Sequence, residues 1–219
     1  MVNATLEGTL VHITAGAAEL EGDLHIPDEA RGIVLFAHGS GSSRHSPRNR
    51  FVAEELQRRG LATLLMDLLT REEEQADVKT AQLRFDIRLL AHRLILTTEW
   101  LAGQPPVRDL KVGYFGASTG AAAALVAAAE RPESIGAVVS RGGRPDLAGY
   151  ALPHVAAPTL LIVGGDDVPV IGLNRQAFEK LRVEKRLTIV PGATHLFEEP
   201  GTLEEVARLA GEWFEWRLR

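Results

Sequence analysis

The pentapeptide Gly116-Ala117-Ser118-Thr119-Gly120 fits the pattern G-x-S-x-G. Its neighbours make the fit informative, because Lys111 to Phe115 reads as a strand and Ala121 to Ala129 as a helix. A serine on a sharp turn between strand and helix is lifted above the sheet, where its hydroxyl can act as a nucleophile. Side chains two residues before and two after would collide across that turn, which explains the glycines. The alanines at 121–124 would let the helix approach the sheet closely. The competing reading is an ordinary turn in which Ser118 caps the helix.

A serine hydroxyl attacks only when a base removes its proton. This arrangement places its triad in the chain order serine, acid, histidine, so the base is sought late in the sequence. His195 lies in Gly192-Ala193-Thr194-His195-Leu196-Phe197, between the last strand and the last helix. His12 and His25 fall on early strands, His92 on a helix and His154 in a loop, all positions with structural readings. The acid that orients the histidine is expected after the preceding strand, in Gly164-Gly165-Asp166-Asp167-Val168-Pro169. Spacing favours Asp167 and leaves Asp166 as a turn residue.

The negative charge that develops on a carbonyl oxygen needs two backbone N–H groups aimed at it. Thr119, directly after the nucleophile, supplies one candidate. Ser40, in the loop His38-Gly39-Ser40-Gly41-Ser42-Ser43 after the first buried strand, supplies the other. His38 is read as a support of that loop through a hydrogen bond.

The elements that would carry these residues alternate regularly. Leu6 to Thr14 and Ala18 to Ile26 read as an antiparallel pair joined at Ala15-Gly16-Ala17. Ile33 to Ala37 is an apolar run of the kind found in strands covered on both faces, and Leu61 to Met66 reads likewise. Ser46 and Pro47 open a helix that Gly60 ends. Thr80 to Gly103 reads as one long amphipathic helix. Further strands are expected at 135–140, 159–163 and 187–190, with helices at 118–131 and 169–181. Thr202 and Glu205 have the spacing of a capping box at the start of a last helix. The fold class is therefore α/β, a mostly parallel sheet with helices on both faces, read as a single domain over residues 1–219. Fewer than twenty residues separate the strand ending at Ser140 from the one starting at Thr159, too few for a lid domain. The site is expected to be open.

Composition narrows the chemistry. With no cysteine, disulfides, thiolate metal sites and a cysteine nucleophile are excluded. Net charge is −5 and dispersed, which argues against nucleic-acid and anionic-membrane partners. The histidines show no metal-ligand spacing, and the proposed chemistry needs no cofactor. Met1 to Thr5 does not read as a signal peptide and no apolar run reaches membrane-spanning length, so a cytoplasmic location is the expectation. An exposed edge beside the last helix could support a homodimer.

Two arginines stand where a substrate could meet them. Arg44 follows the Ser40 loop, and Arg141 follows a central strand at its carboxyl end, where open α/β sheets bind ligands. Each could hold a substrate carboxylate or phosphate. Each could equally be solvated, or pair with Asp146 or the Glu72-Glu73-Glu74 run.

Together, these motifs resemble the α/β-hydrolase superfamily and, within it, the compact dienelactone-hydrolase-like group. The resemblance runs from the His38-Gly39 loop to the final helix. It implies hydrolysis of an acyl bond in a small molecule by Ser118, His195 and Asp167. One departure is clear: dienelactone hydrolases proper use a cysteine nucleophile, and this chain has none. The lactone substrate is therefore not carried over. A carboxylic ester is the expected substrate, with thioester, amide, lactone or peracid chemistry as alternatives on the same triad. A non-catalytic binding module would be favoured by a missing triad member, and none is missing.

Overall fold

The structure, a computed structural model, describes residues 8–219. The expected start of the first strand at Leu6, and the reading of Met1 to Thr5, lie outside the described residues. β1 (Thr9–Ala15) and β2 (Ala18–His25) form the antiparallel hairpin, turning at Gly16 with φ of 66°. They are followed by β3 (Ile33–Ala37), α1 (Pro47–Arg58), β4 (Ala62–Met66), α2 (Arg71–Thr80) and α3 (Ile87–Ala102). Next come β5 (Val112–Ala117), α4 (Thr119–Glu130), β6 (Ile135–Arg141) and β7 (Thr159–Gly164). The chain ends with α5 (Val168–Lys180), β8 (Lys185–Val190) and α6 (Thr202–Arg217).

The eight strands of the described residues join one sheet in the order β1-β2-β4-β3-β5-β6-β7-β8. The β1–β2 and β2–β4 pairs are antiparallel and every other pair is parallel. The apolar runs explain this arrangement. Every residue of β3, β4, β5 and β7 is buried, because helices cover both faces of the central sheet. Residues of β5 alternate between two cores. Tyr114 packs with α3 and α4 on one face, and Phe115 with α1 and α6 on the other. Phe36 and Phe115 sit in adjacent parallel strands with ring centroids 4.9 Å apart, each burial worth roughly 1.5–3 kcal/mol. No helix among the described residues is long and apolar enough to cross a membrane.

The expected helix from Thr80 to Gly103 is divided. Ala81 adopts a left-handed conformation that ends α2, a 3-10 turn spans Leu83–Phe85, and Asp86 starts α3 by accepting the Leu89 N–H at 3.0 Å. The carboxylate of Asp77 holds the break by accepting the N–H groups of Leu83 and Arg84 and the Arg84 Nε. α2 was not expected at all. It begins with a capping box between Thr70 and Glu73, and the Glu72-Glu73-Glu74 run occupies its first turn, where carboxylates complement the helix dipole.

The capping box expected at Thr202 and Glu205 does not form. Gly201, with φ of 83°, takes the N-cap position, Thr202 Oγ1 donates to Glu199 O, and Glu205 pairs with Arg208. Between β6 and β7 the chain forms only 3-10 turns over Pro145–His154. No lid domain intervenes there.

Candidate active site

Ser118 has φ of 50° and ψ of −120°, a region costing a non-glycine residue about 1–3 kcal/mol. Its neighbours hold it there. Ser118 N–H donates to Arg141 O at 3.3 Å, while its carbonyl accepts N–H groups from Ala121 at 3.1 Å and Arg144 at 3.0 Å. A Cβ on Gly116 would overlap Ala121 Cα, and one on Gly120 would overlap the carbonyl oxygens of Ala37 and His38. Both glycines of the motif are thus set by close approach of backbones. Although Ser118 occupies the N-cap position of α4, its side chain makes no capping hydrogen bond. The reading of Ser118 as a helix cap does not hold.

Beyond the end of β7, Asp167 Oδ2 lies 2.6 Å from His195 Nδ1. Asp167 begins α5 without capping it, leaving the carboxylate to the imidazole. Asp166 is exposed, and its N–H donates to Ala193 O at 2.9 Å, so it serves the turn. The loop bearing His195 is shaped by Glu199, whose carboxylate accepts Thr194 N–H at 3.0 Å and Thr194 Oγ1–H at 2.6 Å. Those hydrogen bonds, first the hydroxyl and then the amide, hold the Glu199 carboxyl below the usual range. Phe197 in the same loop is buried with φ of 58°. Glu199 was missed by the sequence reading; a carboxylate five residues from its partner has no spacing signature.

The imidazole is close to the elbow. A side-chain carbon on Gly142 would stand 3.6 Å from His195 Cε1, and the preceding residue, Arg141, carries the carbonyl that accepts Ser118 N–H. The Ser40 loop closes the other side: a Cβ on Gly39 would lie 3.0 Å from Ser118 Cβ. Ser40 N–H donates to Thr119 Oγ1 at 2.9 Å. Thr119 N–H belongs to the first turn of α4, where amides have no intrahelical acceptor. His38 supports the loop as expected, with Nε2 accepting Leu68 N–H at 3.1 Å and Nδ1 3.0 Å from Gly39 O. Burial holds the His38 ring below its ordinary pKa, favouring the neutral form that this acceptor role requires.

A dienelactone hydrolase family model matches residues 20–214. This chain belongs to the dienelactone hydrolase family. A crystal structure of a dienelactone hydrolase from Anabaena variabilis is 65% identical with a TM-score of 0.96, covering 97% of this chain and 99% of that one. Est1E from Butyrivibrio proteoclasticus shares the fold at 17% identity and a TM-score of 0.79, covering 96% of this chain and 98% of its own. A protein of Mycobacterium tuberculosis strain H37Rv with a provisional phosphoribosyl transferase name is 61% identical over 204 residues. Those residues make up 93% of this chain and 45% of that protein, so the chain spans about half the length of this relative.

In this family member the two sequence-selected arginines have different surroundings. Arg44 is bound by carboxylates: it pairs with Asp67, with Glu21 at 2.7 Å and with Asp23 at 3.5 Å, and its N–H donates to Asp67 Oδ1 at 2.7 Å. It ties the Ser40 loop to β2 and to Asp67 directly after β4, and among the described residues its hydrogen bonds and ion pairs include none with Ser118, Asp167 or His195. Arg141 is buried; its carbonyl accepts Ser118 N–H at 3.3 Å, and its side chain bonds through Nη2 to Asn49 Oδ1 at 3.0 Å. Of the alternative pairings, Asp146 takes Arg144 and Glu73 takes Arg93.

A cavity of about 210 Å³ adjoins the elbow, lined by Ser40, Thr119, Leu68, Leu69, Val78 and Leu90 among others. Its outer wall is α2 and the turn after it, the elements that the sequence reading missed. The visible clue was Thr70-x-x-Glu73, a capping box ahead of the expected helix. Among the described residues no three histidine, aspartate or glutamate side chains converge as a metal site.

Proposed function

We propose that this chain is a serine hydrolase that cleaves a carboxylic ester, or a related acyl bond, of a small substrate through an acyl-enzyme. The observation that carries this reading is the 2.6 Å pair of His195 Nδ1 and Asp167 Oδ2, set beside a serine held at positive φ. Asp167 accepts a hydrogen bond from Nδ1–H, which fixes the tautomer and leaves Nε2 free as a base. Nε2 takes the proton of Ser118 as Oγ attacks the carbonyl carbon. The resulting oxyanion accepts hydrogen bonds from Thr119 N–H and from Ser40 N–H, which turns to it from Thr119 Oγ1. His195 then passes its proton to the leaving alkoxide, and the acyl–Ser118 ester remains. Water attacks this ester with His195 again as base, and the acid departs as Ser118 recovers its proton. The cavity beside Ser40 and Thr119 suits a small acyl group.

Labelling with a fluorophosphonate probe tests the proposal, because the reagent phosphonylates only activated serines. Wild type is expected to label, Ser118→Ala not at all, and His195→Ala weakly. A folded wild-type protein that does not label would overturn the reading.

A further inference from the structure

Arg141 is only 5% exposed, yet among the described residues its guanidinium is paired with no carboxylate. Nη2 bonds to the neutral Asn49 side chain, the Phe197 ring centroid is 6.0 Å away, and Nε is buried with no hydrogen-bond partner. The neighbouring charge has the same sign. Arg48 also buries an unpartnered Nε, while its Nη1 is held by Glu198 at 2.9 Å. Arg48 belongs to the first turn of α1, which contains no acidic residue, and Arg141 meets that turn at Asn49. Burial first, and then the charge of Arg48, push the Arg141 pKa down to about 10. Buried charges are ordinarily paired, because an unpaired one has lost its hydration with no opposite charge to replace it. Water could satisfy the N–H groups but not the charge. An oxyanion satisfies both.

We propose that Arg141, Arg48 and the first turn of α1 form a binding subsite for an anionic oxygen group, a carboxylate or phosphate, beside His195. Its place in the fold gives it a use. Ser118 follows β5, and the 210 Å³ cavity lies to one side of it, lined by residues following β3 and β4. Arg141 ends β6, on the other side. With the acyl group in the cavity, the leaving group extends toward Arg141. An anion on the leaving group would therefore be held, a deepening that rests on the acyl-transfer reading above.

The test compares 4-acetoxybenzoate, whose leaving group is anionic, with its neutral methyl ester. The ratio of their kcat/KM values is measured for wild type, Arg141→Gln and Arg48→Gln. A second arm measures the thermal midpoint of the same proteins against inorganic phosphate at constant ionic strength. The ratio is expected to fall about tenfold in both variants, as for loss of one charge-assisted hydrogen bond. An unchanged ratio, with a saturable phosphate-dependent rise in midpoint in wild type alone, would still support the subsite and identify a free anion as its ligand. An unchanged ratio with no such rise, or with the same rise in all three proteins, overturns the proposal. Should Arg141→Gln not fold, Arg48→Gln, altered at a partly exposed position, decides both arms. If neither ester is turned over by any protein, the acyl-transfer reading fails while the phosphate arm still decides this one.

Discussion

Ser40 and Thr119, 79 residues apart in sequence, are joined by a 2.9 Å hydrogen bond from the backbone N–H of one to the hydroxyl of the other. The bond ties the loop after β3 to the first residue of α4, directly beside Ser118. It positions the Ser40 amide and also occupies it. Thr119→Val removes the acceptor and releases a loop flanked by Gly39 and Gly41. We expect kcat for 4-nitrophenyl acetate to fall about tenfold or more, with Thr119→Ser near wild type, since misplacing one oxyanion donor costs on the order of 10²-fold. A Thr119→Val enzyme faster than wild type would mean that the hydroxyl competes with the oxyanion for the amide instead of positioning it.

The adjacent aspartates give a clean contrast. Asp167→Asn should retain the fold but lose on the order of 10⁴-fold in kcat, because an amide no longer selects the Nδ1–H tautomer of His195. Asp166→Asn, altering an exposed side chain, should change kcat less than about twofold; side-chain substitutions at such turns are nearly neutral. Steady-state kinetics on both variants, with circular dichroism to verify folding, would expose a wrong assignment if the two losses were reversed.

Two glycines should respond oppositely to alanine. At Gly120 the new methyl would run into the carbonyls of Ala37 and His38, neither of which can move without shifting β3. A loss of about 2–4 kcal/mol is expected, together with activity. At Gly172, within α5, an added Cβ meets nothing within 4 Å, and Gly172→Ala should gain about 0.5–1 kcal/mol. Urea unfolding of the two variants measures both signs.

His38 makes stability depend on pH. Burial lowers its pKa in the folded chain below the ordinary 6.5. The unfolded chain therefore takes up a proton at a higher pH than the folded one. Stability from the neutral ring is fully present above pH 6.5 and is lost as pH falls from there toward the folded pKa. Unfolding free energy measured between about pH 7 and about pH 5 should fall less steeply in His38→Gln, which cannot titrate. Equal slopes would show that His38 contributes nothing to the acid sensitivity.

Much of this protein could be read residue by residue because the relevant constraints are local. A nucleophile elbow needs glycine where backbones cross, and continuous apolar runs need cover on both faces. Gly116, Ser118, Gly120 and the central strands were therefore legible, as was the order in which Asp167 and His195 follow. Helix limits around residues 70–86 were not, because a break inside an amphipathic pattern depends on Asp77 folding back onto Leu83 and Arg84. The capping spacing at Thr202 was present but unused, since the approach of the chain let Gly201 take the cap. The arginines show the difference most clearly. Arg44 and Arg141 have the same side chain and both stand at the carboxyl side of the sheet, one in the loop after β3 and one as the last residue of β6. Their roles diverge because charge is compensated through space: β2 and β4 bring three carboxylates to Arg44, and the packing of Asn49 and Phe197 brings none to Arg141.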